Sequence, residues 1–88
     1  MKISSKGDYA LRALLTLALR NEDKKPVRLP EIAQQNQIPI KFLEQIMIQL
    51  KGAGFVTSRR GRHGGYLMAR PPSEITMGDV IRLIDGSV

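Results

Sequence analysis

Residues 39–66 read PIKFLEQIMIQLKG, AGFVTS and RRGRHGGY in succession. In the first piece, Leu43, Ile46, Met47 and Leu50 recur at i, i+3, i+4 and i+7, the spacing of one apolar helix face. Lys41, Glu44, Gln45 and Ile48 fall on the other face, and Lys51-Gly52-Ala53-Gly54 is a glycine-rich stop. Phe55–Ser58 and Tyr66–Ala69 then read as paired strands. The tip between them carries Arg59, Arg60 and Arg62 among Gly61, Gly64 and Gly65. Upstream, Leu29-Pro30-Glu31 opens a short helix with proline at its first position, ending near Gln37. Two helices joined by about three residues, the second amphipathic, make a helix-turn-helix. With the basic hairpin added, the expected fold is mainly α with a small β-hairpin wing: a winged helix-turn-helix.

The rest of the chain fits one domain over residues 1–88. Ser4 or Ser5 caps a first helix running to about Arg20. Its polar positions (Asp8, Arg12, Thr16 and Arg20) form one narrow stripe, so burial over most of its circumference is expected, part of it in a subunit interface. Pro26-Val27-Arg28 reads as a short strand. Thr76-Met77-Gly78-Asp79 has the spacing of a capping box and opens a last helix, Val80 to Ile84.

Composition narrows the function classes. The chain has no cysteine, which removes disulfides, thiolate nucleophiles and thiolate metal ligands. No segment approaches the roughly 20 apolar residues of a membrane helix, and Met1–Lys6 lacks the apolar core of a signal peptide. A cytoplasmic protein with no membrane role is expected. Fourteen Lys+Arg against eight Asp+Glu give a net charge of +6, which points to a polyanionic partner. The excess is local. No acidic residue lies between Gln45 and Ser73, where Lys51, Arg59, Arg60, Arg62 and Arg70 fall.

An α-helix fits the major groove of duplex DNA, and its N-terminal half reaches the base edges. On helix 39–52, lysine donates to guanine or phosphate, glutamine pairs with adenine, and glutamate accepts from cytosine N4. Phosphates repel a carboxylate, so Glu44 makes sense there chiefly as a base reader; the alternative is a solvated helix residue. Ile48 on that face either touches a thymine methyl or tucks under the wing. Arginine suits narrow minor grooves, while the plainer reading of 59–66 is an exposed turn that needs its glycines merely to turn. It is not a P-loop, since the lysine–serine/threonine tail and the strand–loop–helix context are absent. His63 is the sole histidine, so no metal site is expected. Lys2, Ser4, Ser5, Lys6 and the first N–H groups of helix one suit a phosphate. The carboxylates are scattered and no nucleophile elbow is present, so no enzyme is expected.

Three segments, MKISSKGDYALRALLTLA (1–18), KFLEQIMIQLKGAGFV (41–56) and SRRGRHGGYLMARPPSEITMGDVI (58–81), together resemble the N-terminal DNA-binding domain of the Rrf-type bacterial transcription regulators. The opening SKG-YAL, central FLEQ and GGY of the wing carry the resemblance. It implies a regulator, often a repressor, that binds a pseudo-palindromic double-stranded DNA operator as a homodimer. Helix 39–52 would enter the major groove and wing 59–66 the minor groove. By position, Lys41, Phe42, Glu44 and Gln45 match the family's recognition segment, and Arg60 its wing arginine. Arg59, Arg62, Gly64 and Gly65 lie in the same wing, and Ser5 and Lys6 match the start of helix one near the DNA backbone. Pro39 stands where a serine usually opens the recognition helix. Family members continue into a cysteine-bearing loop, in the cluster-binding branch, and a long dimer-forming helix. Neither lies within these 88 residues, so no iron–sulfur cluster or other cofactor is assigned to them. The alternative is a winged helix that binds RNA or a protein partner without operator specificity. Single-stranded RNA calls for exposed stacking aromatics, and Tyr9, Phe42, Phe55 and Tyr66 read as core or hinge.

Overall fold

The computed structural model describes residues 3–86. Helix α1 spans Ser5–Leu19, α2 Leu29–Asn36, α3 Ile40–Gly52 and α4 Met77–Asp85; strands β1 (Val56–Arg59) and β2 (Gly65–Met68) lie between α3 and α4. Short 3-10 turns at Asn21–Asp23 and Pro72–Glu74 were not foreseen.

Ser4, in extended geometry, caps α1 by accepting from the Gly7 N–H at 2.9 Å. Its hydroxyl also donates to Asp85, joining the first helix to the end of the last. The polar stripe of α1 is largely an internal latch. Asp8 pairs with Arg12 at 2.9 Å, Thr16 accepts from Asn36 of α2 at 2.9 Å, and Arg20 pairs with Glu31. Ala10, Ala13, Leu14 and Leu17 pack inward against Ile32, Leu43, Ile46, Met47, Leu50, Val56 and Val80. Within this chain the apolar circumference is covered only in part: Leu15 is 58% and Leu19 76% exposed. At 100° per residue these two leucines fall beside Asp8 and Arg12, with Leu15 bordering a groove that Met68, Pro72 and Ile75 also line.

The α2–α3 turn is tight because Gln37 adopts the left-handed conformation (φ 54°, ψ 44°) and the Ile38 N–H reaches the Ala33 carbonyl at 2.9 Å. Pro39 then serves as N-cap of α3 with no side-chain hydrogen bond. This is where the expected serine would have offered a hydroxyl.

In the wing, Val56 pairs with Met68, Thr57 with Leu67, Ser58 with Tyr66 and Arg59 with Gly65. Both strands therefore sit one residue nearer the tip than expected, and Arg59 belongs to the ladder. The expected strand at Pro26–Arg28 contracts to one bridge, Val27 to Tyr66, with N–H···O bonds of 2.9 and 2.8 Å. Pro26 has no N–H to extend it, and the Arg28 carbonyl already accepts from Glu31 and Ile32 of α2. Helix α4 begins earlier than Val80 because the Thr76–Asp79 capping box closes at Met77: Asp79 N–H to Thr76 Oγ1 is 3.0 Å and Thr76 N–H to Asp79 Oδ2 is 2.9 Å.

Candidate nucleic-acid interface

Helix α3 divides cleanly. Leu43, Ile46, Met47 and Leu50 are fully buried, and Lys41, Glu44, Gln45 and Ile48 are exposed on the far side. The buried ridge anchors the helix against α1, α2 and β1, so its outer face is held rigidly. Lys51 ties the helix end to the wing, its Nζ donating to Ser58 Oγ at 2.6 Å. Phe42 turns sideways: its ring meets Tyr9 of α1 edge-on, with centroids 5.5 Å apart, so it orients the helix start as well as lining its surface.

Electrostatics separate the arginines into two groups. Arg12, Arg20, Arg70 and Arg82 each face a carboxylate. Among the described residues, Arg28, Arg59, Arg60 and Arg62 make no ion pair, and neither do Lys41 and Glu44. The four unpaired arginines are all at the wing or at the start of α2. Arg70, part of the basic stretch in sequence, is engaged instead, near Glu74 and 5.6 Å from the Phe55 ring centroid.

The wing glycines have structural work. Gly65, at φ 150°, lies so close to the Val27–Arg28 backbone that a Cβ would sit 2.5 Å from the Val27 carbonyl oxygen. A Cβ at Gly64 would collide with the Arg59 carbonyl. A side chain at Gly65 would pry the hairpin from Val27 and one at Gly64 would force open the tip itself, so both glycines set the course of the arginine-bearing turn. A cleft of about 500 Å³ beside this approach is lined by Lys25, Arg28, Arg62 and His63 together with the acidic Glu31. Lys25 and Arg28 were not singled out in sequence. The signal that could have found them is the short strand at Pro26–Arg28, which must lie beside the wing.

At the other candidate anion site, Ser5 is exposed and Lys6 half-buried in the first turn of α1. Asp85 already lies against that turn, taking the Ser4 hydroxyl and approaching Gly7. Lys2 lies outside the described residues.

Buried hydrophobic ridge, tight turn, exposed polar helix and arginine-bearing hairpin together define a winged helix-turn-helix domain. Residues 3–88 match the family model described as "Rrf2: Iron-dependent Transcriptional regulator". The chain belongs to the Rrf2 family of transcription regulators.

It is 42% identical over its whole length to the HTH-type transcriptional regulator CymR of Bacillus subtilis, covering 63% of that protein. It is 43% identical to the HTH-type transcriptional regulator IscR of Vibrio atlanticus, covering 50%. The solved structure of B. subtilis CymR, the global cysteine regulator, superposes with a TM-score of 0.92 at 41% identity, over 99% of this chain and 67% of that one. T. potens IscR superposes with a TM-score of 0.89, over 100% of this chain and 64% of that one. The chain thus spans about half to two-thirds of the length of its relatives. These relatives are named for regulation rather than catalysis.

The family description carries iron, and these 88 residues do not fit it. They hold no cysteine, and among the described residues no three His, Cys, Asp or Glu side chains converge to hold a metal. No helix among them is long and apolar enough to cross a membrane.

Proposed function

We propose that this domain binds double-stranded DNA sequence-specifically as the reading head of a cytoplasmic transcription regulator. The observation that carries the proposal is the segregation of charge: the arginines without a carboxylate gather at the wing and the start of α2, beside a helix whose outer face is polar and exposed. Helix α3 enters the major groove, where Glu44 and Gln45 read base edges and Lys41 contacts guanine or phosphate. Arg59, Arg60 and Arg62 follow the backbone into the minor groove, aimed by Gly64 and Gly65. Ser5, Lys6 and Phe42 lie at the margins, contacting backbone or supporting α3. A homodimer on a pseudo-palindromic operator follows for a regulator of this family, and the exposed Leu15 and Leu19 supply apolar surface that a second copy would cover.

Selection of binders from a random duplex library with the purified chain tests the proposal. A two-fold symmetric motif supports a DNA-reading dimer, and a single half-site supports the reading surface without the dimer. Binding without enrichment of any sequence would overturn operator recognition and favour an RNA or protein partner.

A further inference from the structure

Resting on that reading, we propose that Ile48 reads a thymine through its 5-methyl group. Ile48 is 68% exposed, so it does not tuck under the wing. The Lys51–Ser58 bond that joins helix to wing passes one turn beyond it and leaves it uncovered. By helix geometry Ile48 lies within about 20° of Lys41 around the axis, at the centre of the outer face. Lys41, Glu44, Gln45 and Lys51 surround it, all exposed.

Ile40 and Phe42, also partly exposed, lie about 80° and about 120° away on opposite flanks, and Phe42 is turned toward Tyr9. Ile48 is therefore a lone apolar side chain in a polar field, too small a patch to dock a protein. In the major groove the thymine C5-methyl is the one apolar group on a base edge, and aliphatic side chains meet it by contact. A β-branched residue has no advantage at an exposed helical position; against a methyl it gains burial. Ile48 is four residues, about 6 Å, beyond Glu44 along the helix. The thymine it meets lies within about two base pairs of the base read by Glu44.

The test uses the full 88-residue chain and its selected operator. Each thymine is replaced in turn by deoxyuridine, which removes only the methyl, and binding is measured by fluorescence anisotropy for the native protein and for Ile48→Ala. The expected result is one position per half-site where deoxyuridine weakens native binding about fourfold, the value of one buried methyl. At that position Ile48→Ala shows no further loss. Because Ile48 is outside the core, the variant should keep the native melting temperature, which circular dichroism checks. If no deoxyuridine weakens the native protein, or Ile48→Ala suffers the same penalty, the proposal is overturned while DNA reading stands. If no operator can be selected, both fall together.

Discussion

The two exposed faces of this small domain are built on opposite principles. Along α1 and α4 the charges are spent internally, Asp8 on Arg12, Arg20 on Glu31 and Asp79 on Arg82. What is left open there is apolar: Leu15, Leu19 and Met77, beside a shallow groove of about 180 Å³ that Met68, Pro72 and Ile75 help to line. Along α3 and the wing the reverse holds. Leu43, Ile46, Met47 and Leu50 are consumed by the core, leaving Ile48 and the partly exposed Ile40 and Phe42, and the charges make no ion pairs. Unpaired cations are suited to partners that bring their own negative charge, and uncovered leucines to a surface that brings its own apolar area. On the function proposed above, one face would meet nucleic acid and the other a second copy of the chain.

The strongest challenge to this contrast comes from leucines of the same type in different places. Leu50→Ala, in the fully buried ridge of α3, should cost about 2–5 kcal/mol of folding stability, measured by urea unfolding. Leu15→Ala, on the open face of α1, should change it by no more than about 0.5 kcal/mol. If Leu15→Ala destabilises the monomer as Leu50→Ala does, the apolar face is core and the contrast fails.

On the other face, Glu44→Ala should relax discrimination at one base pair by about 1–3 kcal/mol while leaving the rest of the operator preference intact. Measured against a set of single-base operator variants, an equal loss on every sequence would remove Glu44 from base reading.

The smallest effect concerns α4 alone. Thr76→Ala removes an N-cap, a change worth about 1 kcal/mol, with no effect on specificity. Hydrogen bonds from Thr76, first from its backbone N–H, hold the Asp79 carboxyl below the usual aspartate range, with Arg82 adding attraction. A depressed folded-state pKa stabilises above the unfolded value, and that stability is lost as pH falls through the folded value. Thr76→Ala keeps that backbone N–H, so Asp79→Ala carries the pH dependence: its difference in melting temperature from the native chain should be steady from about pH 5 to 8 and shrink below about pH 4. A difference that grows with acid would contradict the capping box.

Much of this was legible in the chain because it is local. The apolar ridge of α3, the Ser4 cap, the Thr76–Asp79 box and the glycine stop each depend on residues a few positions apart. The wing strands were found but displaced by one residue, since the tip geometry is set by Gly65 packing on Val27, some forty positions upstream. The same bridge places Arg28 beside the wing; the short strand at Pro26–Arg28 hinted at a pairing but not at its partner, Tyr66. That Leu15 and Leu19 are the uncovered part of α1 was not legible, because a wide apolar circumference says that a helix wants covering, not which elements arrive to cover it. Arg70 counted toward the basic stretch by position, yet its environment near Glu74 and Phe55 is a property of the folded chain.

The central claim is that unpaired arginines on the wing meet phosphates. The most direct measurement is operator affinity against salt concentration for the native chain and for the combined Arg59→Ala, Arg60→Ala, Arg62→Ala variant. For each arginine that neutralises a phosphate, the slope of log affinity against log salt should fall by about 0.9, so the variant should be flatter by nearly three such steps. An unchanged slope would mean that the wing does not touch DNA.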